Sequence, residues 1–149
     1  MKALLAAAAL TLSVLPAFAG EEIVKVKASG DVAATMDALE AAVTGAGATV
    51  FARVDHAGGA AKVDLDLAPS QVLIFGNPKL GTPAMQDDAL AGLYLPLKVL
   101  VYEDGEGQTW LAYEDPGDML DDLDIPGDAE YLKKMTGALG KLTGKAAGN

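Results

Sequence analysis

Cysteine is absent from this 149-residue chain, which excludes disulfides, thiolate metal sites, cysteine nucleophiles and thioether-linked haem. Arginine, histidine and tryptophan each occur once, as Arg53, His56 and Trp110. Ser29 and Ser70 are the only serines after residue 19, and neither lies in a G-x-S-x-G turn, so nothing supports a serine hydrolase of that type. With so few reactive side chains, the sequence favours a non-catalytic role.

Positive charge is also scarce: the chain has 11 Lys and Arg residues against 21 Asp and Glu residues, which gives a formal net charge of −10. Residues 99–132 contain eleven acidic side chains and no basic one. Such a surface repels nucleic acid and anionic lipid headgroups, so we expect neither as a partner. The spacing of the acidic residues does not fit a calcium-binding loop, and we interpret them as a solvated face.

No hydrophobic run is long enough to cross a bilayer. The apolar run Ala3–Val14 follows Lys2, and Ala17-Phe18-Ala19 has the small-x-small cleavage pattern. These features predict a secretory signal peptide over residues 1–19 and an exported protein, with the periplasm favoured and the extracellular space as the alternative. Residues 20–149 then have the size of a single domain without a membrane anchor.

The periodicity of apolar residues predicts both strands and helices. Alternation predicts strands at residues 23–28 and 49–55, and the continuous apolar run at 72–75 predicts a buried strand. The glycine-containing turn 104–107 predicts a hairpin that joins residues 97–103 to 109–114. Helical spacing predicts helices at residues 32–45, 83–92 and 128–142, a helical turn at 119–123, and a frayed end at 144–149. His56-Ala57-Gly58-Gly59 is expected to end the second strand. The pattern predicts an α+β domain, with a sheet of about five strands and helices packed on one face.

The segment Val72–Pro83, VLIFGNPKLGTP, is the most distinctive in the chain. A buried strand runs into a tight loop, and Thr82 is expected to cap a helix that begins at Pro83. Backbone N–H groups at such a helix start can bind an anion or a carbonyl group. The alternative is that the loop residues only supply turn geometry. The ligand-binding candidates are Arg53, His56, Gly76, Asn77, Lys79, Gly81, Thr82 and Lys98.

Arg53, Asp55 and His56 cluster at the end of the second strand. Asp55 could orient His56 as a general base while Arg53 holds an anion, so His56 and Asp55 are the catalytic candidates. The alternative, which we favour, is that Asp55 caps the turn and the other two make structural contacts. His56 with Met85 is a weak candidate for a soft-metal or haem ligand pair, and no metal or cofactor is predicted.

The chain resembles the family called domain of unknown function 302. The matching strings are FARVDH at 51–56, LAP at 67–69, VLIFGNPKLGTP at 72–83, LPLKV at 95–99, and EDG at 103–105 followed by WLAY at 110–113. The resemblance implies a compact α/β domain, frequent homodimers and no agreed activity. Two positions depart from the family: an Arg-His pair is missing from the acidic region 120–126, and Asp64 stands where glycine is usual.

The sequence thus favours an exported, non-catalytic module that binds a small polar or anionic ligand and forms a homodimer. A hydrolase or isomerase that uses His56 with Asp55 is one alternative, and a metal- or haem-binding protein that uses His56 and Met85 is another. Strand alternation places Trp110 and Tyr113 on opposite faces of the sheet. One of these aromatic faces could form the dimer surface.

Overall fold

A computed structural model describes residues 23–148 of the protein, so the predicted signal peptide lies outside the described residues. Within these residues, five strands and six helices follow one another. They are β1 (Ile23–Lys27), α1 (Val32–Gly45), β2 (Thr49–Asp55), α2 (His56–Ala61), β3 (Ser70–Gly76), α3 (Pro78–Asp87), α4 (Ala91–Tyr94), β4 (Leu97–Glu103), β5 (Thr109–Glu114), α5 (Pro116–Met119) and α6 (Glu130–Ala147).

The strands form one antiparallel sheet in the order β1-β5-β4-β3-β2. Strands β2 to β5 are neighbours in sequence order, whereas β1 crosses the domain to pair with β5, with Val24 opposite Tyr113. The pairing of β2 with β3 is irregular between Val50 and Ala52, and Phe51 bulges from the edge strand there. The predicted hairpin is confirmed as β4 and β5.

The hydrophobic core lies between one face of the sheet and helices α1 and α6, which pack against each other. We call this the inner face, and the opposite one the outer face. The inner-face side chains that the helices bury are Leu73, Phe75, Val99, Val101, Leu111 and Tyr113. An α+β fold with helices on one face is therefore confirmed.

Helix α1 forms as the sequence predicts, because a polar cap precedes a regular apolar stripe. The Asp31 carboxylate accepts a hydrogen bond from the Ala34 N–H at 2.8 Å, which satisfies one of the free donors at the helix start. Met36, Leu39 and Val43 recur at helical spacing and are fully buried. The helix consequently places one whole face in the core.

The C-terminal end of the chain differs from the prediction of a frayed tail. Helix α6 continues to Ala147, whose side chain is buried. The backbone N–H and the hydroxyl of Ser29 both donate to the Ala147 carbonyl at 3.1 Å, and Gly148 ends the helix at φ 83°. Contacts with the β1–α1 loop thus order the last turn, which local sequence alone would not hold.

Helices α2, α3 and α5 differ from the sequence-based expectations in where they begin. Helix α3 begins at Pro78 with Asn77 as its cap, and Pro83 lies inside it, so the prediction of a helix start at Pro83 was wrong. His56 opens helix α2 where a simple strand break was expected. Helix α5 spans Pro116–Met119 and lies before the predicted turn at 119–123. Within residues 23–148, no helix has the length and apolar character needed to cross a membrane.

Candidate functional site

A cavity of about 380 Å³ lies where the end of β3, helix α3 and the start of β4 meet. Its walls are almost wholly apolar, and the two side chains with polar ends are Asn77 and Thr82. No acidic, basic or histidine side chain lines it in the described part of the chain. The lining residues are Phe51, Gly76, Asn77, Pro78, Leu80, Gly81, Thr82, Met85, Leu95, Pro96, Leu97 and Met135.

Two glycines of the distinctive segment keep this cavity open. A Cβ at Gly76 would lie 3.4 Å from Pro96 and 3.5 Å from Phe51. A Cβ at Gly81 would lie 3.7 Å from Leu95 Cδ1 and 3.9 Å from the end of Met85. Any larger side chain at either position would therefore occupy the space between α3 and the neighbouring chain.

The start of helix α3 does not offer the free N–H groups that the sequence suggested. Pro78 has no N–H, and the Lys79 N–H donates to the Asn77 side chain at 3.0 Å. The Leu80 and Gly81 N–H groups donate to the Asn77 carbonyl at 2.9 and 3.0 Å. Because all these donors are used within the turn, the helix start is satisfied without an anion.

The two lysines proposed to assist an anion lie outside the cavity. Lys79 is exposed on the first turn of α3, and its side chain does not line the cavity. Lys98 lies on the outer face of β4, where its Nζ is 3.4 Å from the Tyr94 carbonyl oxygen. The structure therefore groups four of the eight ligand-binding candidates, Gly76, Asn77, Gly81 and Thr82, around one cavity.

The Arg53 and His56 cluster lies at the other end of the sheet. Asp55 pairs with Gln71 on β3, and the cavity begins five residues further along that strand, at Gly76. Five residues of antiparallel strand span about 17 Å, so this distance separates Asp55 from the cavity. His56 therefore does not approach the cavity, and Met85, which lines it, lies far from His56. Among residues 23–148, no group of three or more His, Cys, Asp or Glu side chains could hold a metal ion.

Arg53 makes contacts that fix it to helix α1. Its guanidinium lies 2.6 Å from the Asp37 carboxylate and 3.3 Å from that of Glu40, and its Nε donates to Gln71 at 2.9 Å. The hydrogen bond to Asp37 and the two negative charges raise the pKa of Arg53. These partners use the charge of Arg53 within the fold, as expected for a structural side chain.

Asp55 acts on the backbone of α2. Its carboxylate accepts a hydrogen bond from the Gly58 N–H at 2.9 Å, which makes Asp55 the helix cap. His56 is the first residue of that helix and is exposed. The geometry agrees with the capping alternative for Asp55 and gives it a local structural role.

Several cavity residues were missed because no local signal marks them. Phe51 reaches the cavity through the β2 bulge, and Met135 reaches it from the middle of α6. Leu95 and Leu97 carry ordinary apolar side chains that nothing in the local sequence distinguishes from those of core residues. Tertiary packing alone brings these four residues together. A large apolar side chain on an edge strand, such as Phe51, is the one signal in the sequence that could have indicated a binding surface.

Comparison with solved structures supports the fold. The crystal structure titled uncharacterized conserved protein DUF302 from Bacillus stearothermophilus superposes with a TM-score of 0.75 at 21% sequence identity. The match covers 83% of this chain and 97% of that one. At this identity the likeness establishes the architecture and nothing further.

Curated relatives are similar to this chain in sequence over most of its length. Proteins named fluoride-specific ion channel FluC 1 from Brucella suis biovar 1 and Brucella abortus biovar 1 are each 39% identical over 129 residues. These matches cover 85% of this chain but only 50% and 47% of the relatives. The chain thus spans about half the length of the curated relatives it matches, and their channel name describes the whole proteins.

A family model matches residues 24–142, which include every strand except the first residue of β1, and most of α6. That model is described as domain of unknown function DUF302. It covers the distinctive segment, the cavity and the hairpin together. The chain therefore belongs to the DUF302 family.

Proposed function

We propose that this protein is a non-catalytic module that binds a small molecule with an apolar body in the cavity between α3 and β4. The observation that carries the proposal is an apolar cavity of about 380 Å³ that two glycines keep open. Cavities of roughly 300 to 1,000 Å³ with few polar groups are typical of small-ligand sites. The absence of titratable side chains from its described walls supports binding without catalysis.

The cavity size limits the ligand. A dry protein cavity of about 150 Å³ accommodates benzene, so by proportion a cavity of about 380 Å³ accommodates roughly 15 non-hydrogen atoms. The Asn77 and Thr82 side chains offer polar atoms in its wall, where a small polar or anionic end of the ligand could be placed. The proposed ligand is therefore amphipathic, with an aliphatic or aromatic body and a single polar end.

Saturated fatty acids of increasing length test this proposal. Each acid from hexanoate to octadecanoate is added below its micelle concentration, and the midpoint of thermal unfolding is measured. A ligand that binds only the folded state raises this midpoint. We expect the rise to grow with chain length until the acid reaches about 15 non-hydrogen atoms and then to stop growing.

A glycine substitution separates this cavity from general surface binding. Gly81→Leu places a side chain in the cavity and should abolish the thermal shift, because Leu95 and Met85 already lie near the new Cβ position. Gly140→Leu on helix α6 is the matched control, since a Cβ there has nothing within 4 Å. Equal shifts in the two variants would contradict the proposed site, and no shift with any acid would contradict the ligand class.

The same proposal includes export from the cytoplasm, which the pattern of residues 1–19 supports. Intact-mass measurement on protein recovered from a periplasmic fraction tests it. We expect a single species that begins at Gly20. Full-length protein in the cytoplasmic fraction would contradict export.

The curated relatives favour a second candidate function, an accessory role in fluoride handling. It is supported by 39% identity over 129 residues to about half of proteins named fluoride-specific ion channels. Fluorine NMR with sodium fluoride as the probe tests direct binding, and protein-dependent broadening of the fluoride line is the expected result. An unchanged line at millimolar fluoride would contradict a direct fluoride site in this domain.

A further inference from the structure

One methionine differs from the others in its exposure to solvent. Cysteine is absent from the chain, so methionine supplies all of its sulfur atoms. Met36, Met119 and Met135 are buried, with exposed fractions of 0, 7 and 1%, whereas Met85 is 40% exposed. Among residues 23–148, Met85 therefore carries the one sulfur that a solute can reach readily.

Met85 combines this exposure with a place in the cavity wall. It lines the cavity from α3, as the buried Met135 does from α6. The Met85 Sδ lies 3.5 Å from the position of a Cβ at Gly92, and its Cε lies 3.9 Å from that of a Cβ at Gly81. Because both neighbours are glycines, neither covers the thioether with a side chain. The thioether thus borders the cavity on one side and solvent on another.

We propose that Met85 is a site of reversible oxidation, and that its sulfoxide form weakens ligand binding in the cavity. The inference rests on the proposed function, because it concerns the regulation of that same site. Methionine is oxidised to its sulfoxide by common oxidants, and dedicated reductases return the sulfoxide to the thioether. The modification can therefore switch the site in both directions.

The oxidant that suits this surface is a neutral hydroperoxide. The formal net charge of −10 disfavours the approach of anionic oxidants and leaves hydrogen peroxide unaffected. A lone pair of the Met85 Sδ attacks one oxygen of hydrogen peroxide, and the O–O bond breaks. The sulfur gains that oxygen and loses two electrons to the peroxide. The departing hydroxide takes up the proton of the transferred oxygen and becomes water.

The added oxygen changes an apolar wall into a polar one. An oxygen that points into the cavity would contact the apolar body of the ligand without a hydrogen-bond partner. A side chain that turns outward to hydrate the oxygen would remove the Met85 contacts from the ligand. Both arrangements weaken binding, and we expect the affinity to fall by about tenfold.

Peptide mass mapping tests the selectivity of the reaction. The folded protein is treated with hydrogen peroxide, and the gain of one oxygen is followed at each methionine over time. We expect Met85 to react at least about tenfold faster than Met36, Met119 and Met135, because a buried side chain reacts only when the fold opens. Equal rates at Met85 and Met119 would overturn the proposal, whether or not any fatty acid binds.

A side chain at Gly92 tests the placement of the sulfur and leaves Met85 itself unchanged. Gly92→Leu brings a side chain against the Met85 Sδ and should slow its oxidation. Gly140→Leu is the matched control, since a Cβ there has nothing within 4 Å. An unchanged rate in Gly92→Leu, or equal slowing in the two variants, would overturn the geometry on which the proposal rests.

Thermal unfolding with dodecanoate tests the effect on the cavity. The rise in midpoint is measured against the same protein without the acid, so that any effect of oxidation on stability cancels. We expect a smaller rise in the oxidised protein and a full rise after treatment with methionine sulfoxide reductases. Met119→Leu is the matched control, and peroxide should reduce its rise as in the wild type. Peroxide should not alter the rise in Met85→Leu.

The outcomes separate this inference from the proposed function. No rise with any of the fatty acids in the untreated wild type would contradict both together. A rise that persists in full once Met85 is oxidised would overturn the inference and leave the proposed function standing. An equal loss on peroxide treatment in Met85→Leu and the wild type would also overturn the inference, because another site would then be responsible.

Discussion

Gly81 offers a test in which stability and binding change in opposite directions. Gly81 lies within helix α3, and a Cβ there would meet its nearest neighbours at 3.7 and 3.9 Å, which are ordinary contact distances. Replacing a helical glycine by alanine gains about 1 kcal/mol through backbone entropy. The new methyl group lies at a partly open cavity wall, so only part of the roughly 0.8 kcal/mol for a buried methylene is added.

We therefore expect Gly81→Ala to raise the free energy of unfolding by about 1 to 1.5 kcal/mol and to narrow the cavity. For a domain of this size, the thermal midpoint should rise by about 3 to 6 °C. The assay is urea unfolding followed by far-UV circular dichroism and by the fluorescence of Trp110. The fatty-acid shift is then measured on the same variant and should be smaller than in the wild type.

Gly47→Ala is the matched control for this prediction. Gly47 has φ 75°, a left-handed conformation in which alanine is strained. A Cβ at this position would have no neighbour within 4 Å, so the strain is the only expected effect of the substitution. It should lower the stability by about 1 kcal/mol and leave fatty-acid binding unchanged. A destabilised Gly81→Ala would refute the packing described for α3, and undiminished fatty-acid binding by that stabilised variant would refute the cavity as the ligand site.

Three further predictions concern charges and backbone strain. Arg53→Ala should cost no more than about 1 kcal/mol in urea unfolding, because exposed ion pairs such as those with Asp37 contribute little, and it should leave fatty-acid binding unchanged. Hydrogen bonds from the Gln108 N–H and the Trp110 indole N–H lower the pKa of Asp104 below its ordinary 3.8. The ionised Asp104 carboxylate therefore stabilises the folded protein above that pH, and this contribution is lost as the pH falls through the lowered pKa. Asp104→Asn should flatten this acid dependence in thermal unfolding, and an unchanged profile would count against the assignment. Asp64 has φ 57°, a conformation that glycine favours and a β-branched residue does not. Asp64→Gly should therefore leave the stability unchanged or raise it, and Asp64→Val should lower it by about 1 kcal/mol or more. A lower thermal unfolding midpoint for Asp64→Gly than for Asp64→Val would contradict the backbone geometry.

The elements that local patterns determine could be predicted from the sequence. Helix α1 and strand β2 begin and end where the periodicity of the apolar residues predicted, because no competing pattern lies nearby. The hairpin of β4 and β5 was predicted for the same reason. Asp64, where the family resemblance indicates glycine, does adopt the left-handed conformation that glycine favours.

The start of α3 could not be predicted, because two equivalent signals compete. Asn77-Pro78 and Thr82-Pro83 both combine a capping residue with a proline suited to the first helical turn. The structure uses the first signal and tolerates Pro83 within the helix. With the helix starting at Pro78, the backbone N–H groups of its first turn bond to Asn77 and are not available to an anion. The cavity beside this turn is apolar, and its walls come from segments far apart in sequence.

The pairing of β1 with β5 has a consequence for how the domain reaches its native state. Ile23 pairs with Glu114, so the first strand of the domain remains without its partner until about three-quarters of the described chain is available. Strands β2 to β5 can assemble earlier as a meander, since each is next to its neighbour in sequence. Closure by β1, and then by the Ser29 contacts to Ala147, comes late in this order. A chain that stops before Thr109 would expose β4 as an unprotected sheet edge and should aggregate.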